Sequence, residues 1–233
     1  MVTGLPTWLV VLAWCALALA VMSALAIGLD ILVRGYRQRM AVMEAVWPIT
    51  ALYFGPAAVW MYVRYGRPQS SRWLTEHGRD RPPDKPGWAT TAVGVSHCGA
   101  GCTLGDIIAE IAVFAVGLTL FGSALVAQLV ADYICALALG IVFQYFAIAP
   151  MRGLSLRKGL LEAAKADVLS LSAFEVGLFG WMAVMALVVF ARHPLHPGDP
   201  VFWFSMQIGM VIGFATAWPA NVWLIRRGIK ESM

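Results

Sequence analysis

The sequence predicts an all-α membrane protein, a bundle of about six transmembrane helices forming one domain over residues 1–233, and three observations predict it. Hydrophobic residues fill 60% of the 233 positions and charged residues only 13%, far from the balance of a soluble globular domain. Apolar stretches of about 20 residues, enough to cross about 30 Å of hydrocarbon as helix, recur along most of the chain. The Lys and Arg residues gather at the ends of those stretches, where membrane topology places them.

Taken in order, the first stretch, 7–33, lacks the basic leader and clean small-residue cleavage site of a signal peptide and is expected to remain as a helix. The second, 42–63, contains WPITALYFGPAAVW, in which Pro48 and Pro56 interrupt helical hydrogen bonding; it either crosses or dips in and returns, and the second case gives five spans. Residues 64–88, rich in Arg, Pro and Asp, read as a polar cytoplasmic loop. Spans follow near 89–121 and 124–149. In GLSLRKGLLEAAKAD, Leu154, Leu160, Leu161 and Ala164 oppose Arg157, Lys158 and Lys165, so 153–166 is expected to lie along the membrane interface. The last spans are near 167–191 and 201–225. With six spans, the side that carries the 64–88 loop and the C-terminus holds 13 of the 17 Lys and Arg residues; with five it holds 16 of the 17, and only the N-terminus changes sides. That side is expected to be cytoplasmic. This topology accounts for the basic balance, and no aromatic-interleaved basic run points to nucleic acid.

Chemistry concentrates in SHCGAGCTLGDIIAE, residues 96–110. Cys98, Cys102, Asp106 and Glu110 recur every four residues, so on a helix they form a slowly winding stripe about 18 Å long, two soft ligands leading into two hard ones. Counted from Trp88, His97 and Cys98 lie about 14 Å into the membrane, near its midplane. An ionised acid at the centre of a span costs about 2.5–3.5 kcal/mol, and Asp106, Glu110, Asp132 and Glu175 all fall inside spans. The basic residues sit in loops and at helix ends, which leaves His97 as the one protein cation expected at depth. These acids are therefore protonated, hydrated or bound to a cation.

Two thiols one turn apart beside an imidazole suit Cu(I) or Zn(II) and are a poor disulfide pair in a regular helix. His97 is rotated about 100° from Cys98, so it joins the thiols only if the helix is irregular there. Gly94, Gly99, Gly101 and Gly105 make irregularity possible, and Gly101-xxx-Gly105 also offers a strip for close helix packing. Asp132 is expected near Glu110, with Gln128 on the same face, and Glu175 level with the thiols. Cys15 and Cys135 read as packing residues, as do Met206 and Met210, although the latter pair would suit Cu(I). His193, His196 and Asp199 read as a proline-stiffened outer turn that could also capture a metal.

HCGAGCTLGD, together with WPITALYFGP, FQYFAIAPMR, AFEVGLFGWM and WPANVWLIRRGIKESM, resembles a bacterial family of small membrane proteins described as a domain of unknown function. The resemblance covers nearly the whole chain. It implies a multi-pass protein of the bacterial inner membrane, in a family whose members have sometimes been labelled copper-related, and it supplies no activity. It places His97, Cys98, Cys102, Asp106 and Glu110 within the family's signature.

Three functions fit these residues. The first is binding of a transition metal, Cu(I) or Zn(II), at His97, Cys98 and Cys102, with Asp106, Glu110, Asp132 and Glu175 continuing a path for metal transport or insertion. The second is a membrane oxidoreductase using metal or thiols on a lipid-soluble substrate, although no Glu-x-x-His pair for a di-iron site is present. The third is a proton or cation channel in which acids line a wet pore. Partners are the lipid bilayer and the metal ion, and the Gly-rich helix faces would suit a homo-oligomer.

Overall fold

The structure, a computed structural model, describes residues 4–153 and 155–230, and the side chains among them outside 147–152 and 166. It is helical throughout, with no strand among the described residues. Its long helices are α1 (Thr7–Leu32), α5 (Gly87–Val116), α6 (Ala124–Arg152), α7 (Leu156–Val184) and α8 (Pro200–Arg226); the short ones are α2 (Met43–Phe54), α3 (Pro56–Met61) and α4 (Ser71–Glu76). Among the described residues, 5 helices are long and apolar enough to cross a membrane, those beginning at Thr7, Gly87, Ala124, Asp167 and Pro200. The chain is thus an all-α, multi-pass membrane bundle.

The second apolar stretch does not make a sixth such helix. Gly55 separates α2 from α3 with φ 54° and ψ −130°, a conformation that glycine adopts without steric cost. Pro56 has no N–H to offer the carbonyl four residues back, and the amide of Gln207 on α8 supplies that donor to Leu52 O at 2.7 Å. Both arms of the hairpin return to one end of α1. At the start of α2, Glu44 accepts from the Gln38 N–H at 3.1 Å and pairs with Arg37 at 3.0 Å. At the far end of the second arm, Tyr62 donates to Asp30 at 2.9 Å and Arg67 pairs with the same carboxylate at 3.4 Å. Trp60 stacks on Trp88 at the start of α5, with ring centroids 6.4 Å apart. The hairpin therefore enters and leaves at the same end of the bundle, and among the residues whose side chains are described every Lys and Arg except Arg192 belongs to the helix ends and loops on that side. Next to it, hydrogen bonds from Arg72 and Tyr36 hold the exposed Glu76 carboxyl below its ordinary range.

α5 is the central helix. Its apolar window is 56% buried, against 22–33% for the other four. Its glycines serve contact and not curvature: a Cβ on Gly101 would lie 2.8 Å from Gly140 Cα, one on Gly105 2.5 Å from Ala136 N, and one on Gly99 2.9 Å from the Phe174 ring. α6 thus packs on the Gly101–Gly105 strip, and α5 runs unbroken until Gly117 caps it in the left-handed region at φ 68°. One apolar core joins α5 to α6, α7 and α8, and a second joins it to α1, α2 and α3. The interfacial segment foreseen at 153–166 becomes, from Leu156 on, the opening turns of α7, because the Leu- and Ala-rich run 160–166 has no proline to stop it; Leu154 lies outside the described residues.

A re-entrant hairpin places residues 34–41 on the same face as the 77–86 loop, whereas a crossing would place them on opposite faces. Single cysteines replacing Arg39 and Arg79 are expected to react with an impermeant maleimide from one and the same side. Labelling of the two from opposite sides would refute the hairpin.

Candidate functional site

The stripe read from the sequence is a buried face of α5. Cys98, Cys102, Asp106 and Glu110 are all 3% exposed or less, held there by the close approach of α6 and α7 that the glycines permit. From α7, Glu175 lies beside Cys102. From α6, Asp132 lies beside Glu110, and the Gln128 amide donates to Glu110 Oε2 at 2.8 Å. Asp132 and Glu175 are as buried as the ladder they face. Both carboxylate oxygens of Asp106, both of Glu175 and Oδ1 of Asp132 have no hydrogen-bond partner among the described residues.

His97 stands apart. It is fully buried and faces Phe143 of α6, with ring centroids 6.3 Å apart, and neither ring nitrogen has a partner among the described residues. The one-residue offset from Cys98 turns it away, and α5 continues there as uninterrupted helix. On the loop before α8, Asp199 is occupied by its own turn, accepting from the His196 N–H at 3.2 Å.

Sequence reasoning missed a second polar group at the basic end of the bundle. Lys230, in the turn after α8, is 2% exposed, so a basic side chain other than His97 is buried within the bundle. Its ammonium donates to Asn221 Oδ1 at 2.8 Å, with Ser170 Oγ at 3.4 Å and Asp167 Oδ1 at 4.0 Å. The Asn221 amide donates to Ser170 at 2.6 Å, and Asp167 lies beside Cys98, where the polar group meets the ladder. The signal in the sequence was Gly228: in the left-handed region at φ 66°, it turns the chain back over the end of α8, so that Lys230 N bonds to Leu224 O at 3.3 Å. In RRGIK, that lysine reads as one more charge of a solvated tail.

At the opposite end, the ladder opens into a cavity of about 460 Å³ between α5, α6, α7 and α8. Glu110, Gln128 and Asp132 supply its polar wall, and Phe114, Phe179, Met182, Phe202 and Met206 much of the rest; Leu118, Thr119 and His196 lie at its loop end. Buried polar groups therefore run from Lys230 through Asp167, Cys98, Cys102, Glu175 and Asp106 to Asp132 and Glu110 at the cavity.

The metal reading can be tested against this geometry. No three His, Cys, Asp or Glu side chains among the described residues gather to hold an ion. A structural zinc needs four ligands, and these residues do not supply them. Cys98 and Cys102 do share one apolar core with Met206 and Met210, a donor set whose softness suits Cu(I).

A protein-family model described as Domain of unknown function (DUF4396) matches residues 87–230, from the first residue of α5 to Lys230. No curated protein and no solved structure matches the chain.

Replacing one partner of a buried ion pair strands the other. Lys230→Met is expected to destabilise the detergent-solubilised protein by about 3–5 kcal/mol, and adding Asp167→Asn to recover most of that loss. Thermal unfolding checks it, and a double variant no more stable than Lys230→Met alone would show that the two groups are not coupled.

Proposed function

We propose that this chain, which belongs to the DUF4396 family and takes no activity from that membership, conducts cations through a membrane along the carboxyl ladder of α5, with the proton as the primary cargo. The observation that carries this reading is a contrast in pairing. Asp30 is met by Tyr62, Arg34 and Arg67, and Asp167, although neither of its oxygens has a hydrogen-bond partner, faces the Lys230 ammonium at 4.0 Å, whereas Asp106, Glu175 and Asp132 keep unpartnered oxygens with no basic side chain in ion-pair range among the described residues. Buried carboxyls without a protein partner hold a proton, water or a cation. Successive rungs are about 6 Å apart along the helix axis, a gap that one bridging water closes. Each carboxyl and thiol in the file can take up and release a proton. The charge asymmetry supports an orientation with the basic end in the cytoplasm of a bacterial inner membrane.

A second reading, carriage of Cu(I), is favoured by the two thiols lying in one core with Met206 and Met210. There the thiols would hold the ion, and the carboxyls would relay the protons that thiolates release on binding metal.

In liposomes under an imposed potential, the purified protein is expected to carry protons, with Asp106→Asn and Glu110→Gln each lowering the rate about tenfold or more. Flux no greater than in protein-free liposomes would refute the proton reading. Elemental analysis tests the other: copper that stays with the wild type and is lost in Cys98→Ser, Cys102→Ser supports it, and negligible copper in both removes it.

A further inference from the structure

The cavity at the mouth of the ladder is larger than a proton path needs. Its volume of about 460 Å³ lies among those of sites that enclose small organic molecules. Its wall is largely apolar and aromatic, and its carboxyl and amide groups come from two neighbouring helices, Glu110 from α5, Gln128 and Asp132 from α6. No Lys or Arg is among the lining residues.

The polar groups are not interchangeable. Glu110 already accepts from Gln128 at 2.8 Å. Asp132, 2% exposed and lining the same cavity, has Oδ1 without a partner among the described residues. A buried acceptor in that state calls for a donor, and a charged donor meets a carboxylate most strongly. Phe114, Phe179 and Phe202 line the same space, and aromatic rings accommodate a cation better than an anion. An uncharged apolar guest would fill the volume and leave Asp132 unmet. A quaternary ammonium would bring charge without an N–H.

We infer that the cavity binds a protonated lipophilic amine, its ammonium donating to the Asp132 carboxylate beside Glu110 and its hydrocarbon body packed against Phe114, Phe179, Met182 and Phe202. The inference rests on the cation-conduction reading and names a second cargo for it, an amine taken up at the carboxyls that also carry the proton.

Equilibrium binding to the detergent-solubilised full chain, with no gradient present, keeps the two readings apart. The probes are 4-phenylbutylamine and, with the same body and no charge, 4-phenylbutanol. The amine is expected to bind saturably and at least about tenfold more tightly than the alcohol, and to lose about tenfold or more in Asp132→Asn. Met182→Trp, which narrows the cavity and leaves every ladder group in place, is expected to abolish amine binding, and decides the matter if the Asp132 variant does not fold. Equal binding of amine and alcohol, or amine binding unchanged by Met182→Trp, would overturn the inference. Absence of amine binding alongside intact proton flux overturns it and spares the conduction reading. Amine binding without any flux does the reverse.

Discussion

Hydrocarbon offers no water to a buried polar group, so each donor, acceptor and charge inside this bundle must be met from within the protein or by something the protein holds. Most are met. Leu52 O, deprived of its helical donor by Pro56, takes one from Gln207 on α8. Asp30 collects a hydroxyl and two guanidinium groups, and Thr103 bonds back to the Gly99 carbonyl at 2.7 Å. Among the buried groups left without a hydrogen-bond partner, the carboxyls of Asp106, Glu175 and Asp132 differ from Asp167, which faces Lys230, in having no basic side chain in ion-pair range among the described residues.

The backbone makes that concentration possible. Residues without a Cβ at 99, 101 and 105 let Phe174 and the backbone of α6 reach the body of α5, so the side chains between those glycines are sealed from lipid on both flanks. A bulkier strip would hold α6 off and open the ladder sideways to the bilayer, where a carboxyl has neither water nor a partner. The hairpin of α2 and α3 closes a further side, with Tyr53 packed in the same core as Cys98 and Cys102. The glycines that seemed able to bend α5 toward His97 are spent on packing, and so the imidazole and the thiols remain on different faces.

Much of this was legible in the sequence. The four-residue period of Cys98, Cys102, Asp106 and Glu110 defines one face of a helix whatever surrounds it. The depth of Asp132 and Glu175 follows from counting along antiparallel neighbours, and Pro48 and Pro56 marked the stretch that fails to cross. Position along a helix axis is a one-dimensional quantity, and a sequence carries it well. What a sequence carries poorly is a turn of chain after the last helix. Lys230 lies in a basic tail whose charges all look solvated, and only the left-handed Gly228 sends it back between α7 and α8. Asp167 likewise reads as the polar edge of a span until its partner is known. The cavity was invisible because a void belongs to the arrangement of four helices and to no segment of any one.

The two ends of the ladder are unlike, and the difference bears on how it would work. At one end, carboxyls meet a cavity roomy enough for water and solutes. At the other, the file ends on an ammonium already bonded to Asn221 and Ser170 and facing Asp167. A permanently open pore would be wet at both ends. Here the file ends on a basic side chain, Lys230, held by Asn221, Ser170 and Asp167. The cavity end thus offers polar groups beside open volume, whereas at the other end the polar side chains are occupied with one another.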